Sequence, residues 1–192
     1  MYKLCKTEQS AQRQRELEQG LLAAMGTHQY EEISVSDLCD QMNIPRKSFY
    51  RYFSSKDGAL HALIDHTLLE YESFSVADQS PEKRTYHSDL ERFFRFWKIQ
   101  KPLLDALVRS GISGTLVLRS IDHAMSEVGM PVRFLPQQER LAREHATMFG
   151  VCGLMSMVLN WHKNGFILSE AQMAGIAVEL LTKPIFSGME IL

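Results

Sequence analysis

The stretch that decides the fold is Ser34-Val35-Ser36-Asp37-Leu38-Cys39-Asp40-Gln41-Met42-Asn43-Ile44-Pro45-Arg46-Lys47-Ser48-Phe49-Tyr50-Arg51-Tyr52-Phe53. Ser34 and Asp37 have the spacing of a capping box, which satisfies the first backbone N–H groups of a helix. Apolar residues then recur at helical spacing, at Val35, Leu38, Cys39 and Met42. After a tight turn, Pro45 suits the start of a second short helix, which we expect to run to about Phe53. Two short helices joined by three or four residues have the proportions of a helix-turn-helix.

The second of these helices separates its apolar side chains from its charged ones. With about 100° of rotation per residue, Phe49 and Phe53 lie on one face, about 40° apart, and Tyr50 lies on the other side. The charged residues from Pro45 to Lys56 are all cations: Arg46, Lys47, Arg51 and Lys56. An apolar face behind and cations in front suit binding to a DNA duplex, although solvated surface helices share this pattern.

Helical patterns flank this pair on both sides. A first helix is marked by apolar residues at Leu17, Leu21, Leu22 and Met25. A fourth helix begins after Ser54-Ser55, which offer an N-cap. Its apolar residues form one stripe: Leu60, Leu63, Ile64, Thr67, Leu68 and Tyr71. The polar segment from Ser73 to Pro81 is predicted to be a connection.

The second half of the chain is also helical in pattern. A fifth helix around Leu90 is interrupted by Pro102, and two more are predicted over 103–109 and 112–128, separated by Gly111. A loop follows at Gly129-Met130-Pro131 and Pro136, and a long helix spans about 137–163. Ser169 and Gln172 form a capping box for a final helix that ends at about Leu181.

These patterns predict an all-α protein of about nine helices. We expect an N-terminal helix-turn-helix domain over residues 1–56, a connecting helix over 57–76 and a C-terminal helical domain over 77–192. With 192 residues, 45% of them hydrophobic, the chain is long enough to bury a substantial core. The formal net charge of −2 argues against a protein that coats DNA by bulk charge, so basic residues must act locally.

The remaining signals indicate a soluble cytoplasmic protein without a cofactor. The three cysteines are far apart in sequence and form neither a disulfide framework nor a zinc motif. The N-terminus turns polar at once, so no signal peptide is expected. No G-x-S-x-G, P-loop, G-x-G-x-x-G or H-E-x-x-H motif is present, and His61 and His66 do not share a helical face. We therefore expect neither enzymatic activity nor a metal site, and a helical adaptor that binds only proteins is the alternative to a DNA-binding protein.

Residues 11–71 resemble the N-terminal domain of TetR-family transcriptional regulators. The matching stretches are Ile33 to Cys39, Met42 to Phe53, Ser55-Lys56-Asp57 and Leu60. Two departures stand out. Asn43 replaces the usual turn glycine, which is tolerable because asparagine adopts positive φ more readily than most residues. Pro45-Arg46-Lys47 replaces a small, glycine-containing stretch, so we expect an altered base preference.

The resemblance implies roles for eight residues in binding double-stranded DNA. Ser36 and Lys56 would contact phosphates, and Tyr52 would lie near the DNA backbone. Four residues would face the major groove: Arg46, Lys47, Ser48 and Tyr50. Arg51 is assigned to a base or a phosphate. The implied function is that of a sequence-specific transcriptional regulator, expected to be a repressor, whose operator affinity is changed by a small-molecule effector.

Residues 86–183 resemble a TetR-type C-terminal domain in helix count and order. The segment from Trp161 to Gly165 and the capped helix after it resemble a subgroup that includes regulators of dihydroxyacetone kinase operons. The long helix is apolar almost all round between Phe149 and Leu159, so a second subunit is its expected cover. Together with the final helix it is the predicted interface of a homodimer, which would place two recognition helices on a near-palindromic operator.

Large side chains in this half are candidates for an effector site, although each also fits an ordinary core position. The candidates are Phe93, Trp97, His123, Met155 and Trp161. Trp97, His123 and Trp161 combine apolar bulk with a polar atom, which suits a mostly apolar pocket. An effector would act by its differential affinity for two states, through the helix from Lys56 to Tyr71.

Overall fold

The computed structural model describes Tyr2 and residues 7–77, 85–132 and 136–183, with only the backbone of 76–77 and 127–132. Over these residues the chain forms nine α-helices and a 3-10 helix at Tyr30–Glu32. The α-helices are α1 (Glu8–Met25), α2 (Val35–Gln41), α3 (Arg46–Tyr52), α4 (Lys56–Ala77), α5 (Tyr86–Ile99), α6 (Lys101–Arg109), α7 (Ser113–Val132), α8 (Gln137–Lys163) and α9 (Glu170–Thr182). The prediction of an all-α fold is confirmed. No helix in this part of the chain is both long and apolar enough to cross a membrane.

The helix starts depend on short polar side chains. The Ser34 hydroxyl accepts the Asp37 N–H at 3.1 Å, and the Asp37 carboxylate accepts the Ser34 N–H at 3.2 Å. Ser169 and Gln172 form the same reciprocal pair, so both predicted capping boxes are confirmed. A third box joins Thr85 to Ser88 at the start of α5. The sequence pattern did not predict it because serine replaces the usual Glu or Gln.

Two helix ends share one backbone geometry. α6 and α8 are followed by Gly111 and Gly165, whose φ angles are +68° and +67°. After α6, the Ile112 N–H donates to the Leu107 carbonyl at 3.0 Å, and after α8 the Phe166 N–H donates to the Trp161 carbonyl at 2.9 Å. These are Schellman motifs, in which a left-handed residue lets the chain satisfy the last carbonyls of the helix. Both predicted ends are confirmed.

Two predicted connections are helical instead. Ser73–Ala77 forms the last turn of α4, and Gly129–Pro131 lies within the C-terminal end of α7. A few polar residues or a glycine do not stop a helix when the turn before them is already formed, since propagation adds a hydrogen bond for each residue. Pro131 adds none, because proline has no N–H, and α7 ends at the next residue. Residues 78–81 and 133–135 of the predicted connections lie outside the described residues.

The chain divides into two compact units, and the domain limits drawn from the sequence remain a prediction. The first unit comprises Met1–Leu69 and Pro102–His123. In it, α2 packs against α1 and α3. Its largest fully buried side chains are Leu17, Leu21, Met25, Leu38, Phe49, Phe53, Ile64, Leu103, Leu104 and Leu107. This core therefore combines α1–α4 with residues of α6.

A polar network within the first unit joins α1, α4 and α7. Glu18 on α1 is fully buried, and its carboxylate lies 2.8 Å from Nδ1 of His66 on α4. The Arg119 guanidinium donates to both carboxylate oxygens of Asp65, and Tyr2 donates its hydroxyl to Asp65 at 2.8 Å. Burial and this hydrogen bond raise the pKa of Tyr2 to about 12. The fully buried carboxylate of Glu18 thus has a partner in His66, as burial of a polar group requires.

The second unit comprises Glu70–Lys101 and Ala124–Leu192. In it, α5 packs against α9 and α8. Its buried side chains include Leu90, Phe94, Phe96, Trp97, Met155, Val158, Trp161, Met173, Ala174 and Ala177. Lys98 on α5 donates to Glu170 on α9 at 2.8 Å and holds the pKa of that carboxyl below its usual range. An apolar core and an ion pair therefore hold these helices together.

Candidate nucleic-acid interface

The turn between α2 and α3 is built around Asn43. Asn43 has a φ of +52°, in the left-handed region. Its N–H donates to the Asp40 carbonyl at 3.1 Å, and the next N–H, of Ile44, donates to the Cys39 carbonyl at 2.9 Å. This is the Schellman motif again, with asparagine in the position that glycine occupies after α6 and α8. The expectation that Asn43 takes positive φ is confirmed.

Helix α3 has one buried face and one exposed face. Phe49 and Phe53 are completely buried, with ring centroids 5.3 Å apart. Tyr50 on the other side is 50% exposed, and its ring meets the edge of Phe49 at 5.6 Å. The turn fixes where α3 begins, and the two phenylalanines fix which face it presents. The predicted inward face is confirmed.

The eight residues predicted to contact DNA differ in how exposed their side chains are. The exposed ones are Arg46, Lys47, Tyr50 and Arg51. The half-buried ones are Ser36, Ser48 and Lys56. Tyr52 is only 9% exposed. α3 therefore presents three cations and a phenol to solvent on one side of two buried rings, and contact with DNA stays a prediction for all eight.

Lys56, at the start of α4, holds the segment that precedes α2. Its ammonium group donates to the carbonyl of Tyr30 and, at 2.7 Å, to the carbonyl of Ile33. It also lies 4.1 Å from the centre of the Tyr30 ring. The Tyr30 hydroxyl donates to Asp57 at 2.5 Å, and burial with this hydrogen bond raises the pKa of Tyr30. An ammonium has three donors, so Lys56 has one further N–H to offer a phosphate.

Residues of α6 hold the connection between α1 and α2. The Arg109 guanidinium donates to the carbonyls of Gly26 and Met25 at 2.7 and 2.8 Å. The Ser110 hydroxyl accepts the buried N–H of Tyr30 at 3.0 Å. A cation at the last carbonyls of a helix also complements the helix dipole. No local sequence pattern indicates these contacts, because about 80 residues separate the partners.

The five candidates for an effector site fall in both units. Trp97, Met155 and Trp161 are buried in the second unit, where Phe93 lies 6.4 Å from Trp97 between ring centroids. Trp161 donates its indole N–H to the Leu168 carbonyl at 2.9 Å. No acceptor among the described residues reaches the buried indole N–H of Trp97. His123 is half-buried and is the last residue of the first unit.

The turn geometry supports a prediction about stability. We expect Asn43→Ala to lower the free energy of unfolding by about 1 kcal/mol, because a Cβ without a side-chain hydrogen bond is disfavoured at positive φ. Asn43→Gly should be neutral or stabilising by a few tenths of a kcal/mol. Urea denaturation of the three proteins measures both changes. Equal stability of Asn43→Ala and the wild type would contradict the left-handed turn.

A left-handed turn, a buried aromatic face and a cationic outer face give residues 34–53 the geometry of a helix-turn-helix. Comparison with known families agrees: residues 21–63 match the profile of the bacterial regulatory proteins of the tetR family. Residues 21–63 are therefore similar to the N-terminal helix-turn-helix domain of that family. A comparison with curated protein sequences finds no match.

Solved structures extend the similarity to most of the chain. The dihydroxyacetone kinase operon activator DhaS is 14% identical, with 88% of this chain and 93% of that chain covered and a TM-score of 0.53. The fatty acid degradation regulator FadR from Bacillus halodurans is 15% identical, with 95% and 98% covered and a TM-score of 0.57. A tetR-family transcriptional regulator from Streptomyces coelicolor is 18% identical, with 88% and 80% covered and a TM-score of 0.52. At these identities the similarity shows that the chain has the fold of TetR-family regulators.

Proposed function

We propose that this protein is a transcriptional repressor that binds a near-palindromic operator as a homodimer and responds to a small-molecule effector. The observation that carries the proposal is the division of α3. Phe49 and Phe53 are fully buried, whereas Arg46, Lys47 and Arg51 are exposed. Solvated surface helices can share this division, but here it occurs in the second helix of a helix-turn-helix, where a recognition helix needs a buried apolar face and an exposed cationic face. Since an operator is chromosomal, the protein would act in the cytoplasm.

The proposed DNA contacts differ in what they contribute. Side chains on the exposed face of α3 would reach base edges: Arg46, Lys47, Ser48 and Tyr50. Arg51 and Tyr52, at the C-terminal end of α3, would approach the backbone. Ser36 and the third N–H of Lys56 would bind phosphates. Contacts to base edges select sequence, and contacts to phosphates supply affinity without selecting it.

The proposed dimer interface is formed by α8 and α9. On α8, Phe149 is 63% exposed and Met148 is 42% exposed. A Cβ placed on Gly150 or Gly153 would meet no atom within 4 Å, so open space lies beside both glycines. Large exposed apolar side chains next to small residues suit close approach of a second copy of α8.

The proposed effector site lies around Trp97 in the second unit. The buried indole N–H of Trp97 lacks an acceptor among the described residues, and an unsatisfied buried donor costs about 1–3 kcal/mol. The side chains around it are aromatic, with Phe93 and Phe96 6.4 and 5.6 Å away between ring centroids. A molecule with an apolar chain and a hydrogen-bond acceptor at one end, such as a medium-chain fatty acid, fits this chemistry.

Trp97→Phe tests the effector site, because it keeps an aromatic ring and removes the N–H. Decanoate should raise the melting temperature of the wild type. Trp97→Phe should bind decanoate about tenfold more weakly than the wild type does, because it lacks the indole N–H. Trp161→Phe is the matched control, since the Trp161 N–H already binds the Leu168 carbonyl. Equal decanoate binding by the wild type and Trp97→Phe would remove Trp97 from the site.

The DNA-binding function is tested by a gel-shift titration of the full chain against fragments that flank its own gene. We expect one fragment to bind at nanomolar protein and to be released as the salt concentration rises, because phosphate contacts displace counterions. A scrambled fragment of equal length is the control. Binding to no fragment, with or without candidate effectors, would contradict the proposal and favour a protein-binding adaptor.

A further inference from the structure

A cleft on the first unit lies between the start of α1 and the end of α3. Its volume is about 480 Å³. Its walls are polar side chains of α1 and the last two residues of α3: Gln9, Gln12, Arg13, Glu16, Arg51 and Tyr52. The sequence pattern did not join these residues, because about 40 positions separate α1 from α3. The cleft therefore brings a second arginine, Arg13, beside a predicted DNA contact, Arg51.

The chemistry of the cleft suits a phosphate group. Arg13 and Arg51 offer two guanidinium groups, and Gln9 and Gln12 offer amide N–H donors. Arginine and glutamine side chains are common donors to DNA phosphates. One carboxylate, that of Glu16, faces these donors, so the two arginines leave the cleft with a net positive charge. The Arg13 side chain is 45% exposed and accessible to a large partner.

The position of the cleft indicates which part of the DNA it would meet. In a helix-turn-helix, the N-terminal residues of the recognition helix contact base edges. The cleft lies at the opposite, C-terminal end of α3, where a bound recognition helix would leave the groove. We propose that α1 extends the DNA interface, with Arg13, Gln9 and Gln12 binding a backbone phosphate that flanks the bases read by α3. This inference rests on the proposed DNA-binding function.

Glu16 makes the proposal testable in two directions. Its carboxylate pairs with the Arg13 guanidinium at 2.5 Å, three residues away on α1. Beside a phosphate, Arg13 attracts and Glu16 repels. Removal of the two charges should therefore change DNA affinity in opposite senses, which a purely structural ion pair would not do.

The experiment measures the binding of Arg13→Gln and Glu16→Gln to two 30-bp duplexes over a range of salt concentrations. One duplex is selected by the wild type from a random library, and the other has mixed sequence. Arg13→Gln should weaken binding to both duplexes by a similar factor, about tenfold at 0.2 M salt. It should also reduce the slope of log affinity against log salt concentration by about 2, because each of the two subunits loses one phosphate contact. Glu16→Gln should tighten both severalfold.

The matched controls are Arg95→Gln and Glu91→Gln, which break an ion pair of the same kind. Arg95 and Glu91 lie four residues apart on α5, in the second unit, at 3.1 Å. These variants make the same changes in net charge, so they measure the effect of a charge change made in the second unit. We expect them to change affinity less than twofold.

The outcomes separate the inference from the proposed function. If the wild type binds neither duplex, both are overturned. If the wild type binds and the α1 variants match the α5 controls, only the role of α1 is overturned. Far-UV circular dichroism checks that each variant keeps its helix content. If Arg13→Gln loses helix content, the test rests on Glu16→Gln. A DNA affinity of Glu16→Gln equal to that of the wild type then overturns the inference.

Discussion

Phe149→Asp is expected to convert the dimer into monomers and to abolish tight operator binding. Phe149 is 63% exposed in the single chain, and two copies would be buried at the proposed interface. Loss of a buried aromatic contact costs about 2 kcal/mol or more, and symmetry applies this cost twice. The dimer dissociation constant should therefore rise roughly a thousandfold, because 1.4 kcal/mol corresponds to a factor of ten. Sedimentation of the variant over a range of concentrations measures this change.

Leu118→Asp is the matched control for Phe149→Asp. Leu118 lies on α7 and is 64% exposed, almost the same fraction as Phe149 on α8. We expect Leu118→Asp to remain a dimer with the helix content and DNA affinity of the wild type. A dimer of unchanged strength in Phe149→Asp would contradict the interface. Dissociation by Leu118→Asp alone would place the interface on α7.

Arg51→Ala is expected to weaken operator binding at least thirtyfold while the protein stays folded and dimeric. Arg51 is exposed on α3, and its loss leaves the core residues Phe49 and Phe53 in place. A hydrogen bond between charged groups is worth about 1.5–3 kcal/mol, and a dimer loses two such contacts. Fluorescence anisotropy with a labelled operator measures the change in affinity, and Arg95→Ala controls for the loss of a positive charge.

The pattern of loss assigns the kind of contact. If Arg51 binds a phosphate, Arg51→Ala weakens the operator and a scrambled duplex alike and reduces the salt slope. If it reads a base, the operator loses more affinity than the scrambled duplex does. The structure favours the phosphate, since Arg51 lines the cleft at the C-terminal end of α3. Unchanged affinity for both duplexes would remove Arg51 from the interface.

The parts of the fold predicted from sequence are those set by residues close together in the chain. The capping box at Ser34, the turn at Asn43 and the buried pair Phe49 and Phe53 each involve positions within five residues of one another. Backbone hydrogen bonds and side-chain periodicity determine such features locally. The same locality explains why the limits of α8 were predicted well, since a proline precedes it and a left-handed glycine follows it.

The parts that were not predicted depend on contacts between distant residues. Lys56 was expected to meet DNA, and the structure also ties its ammonium group to the carbonyls of Tyr30 and Ile33. Ser110 binds the N–H of Tyr30, and Arg13 adjoins Arg51 across the cleft. No periodicity relates these pairs, so only tertiary packing brings them together. The candidate interface thus depends also on side chains of α1, α4 and α6, which the helix-turn-helix pattern alone does not reveal.

The central claim, that two copies of α3 enter the major groove of one operator, is tested most directly by methylation protection of the bound DNA. Guanine N7 lies in the major groove. We predict two patches of protected guanines, with centres one helical turn of about 10 bp, or a multiple of it, apart. Both patches should be lost with Arg51→Ala at the same protein concentration. A tight complex with no protected guanine N7, or with one patch only, would contradict the claim.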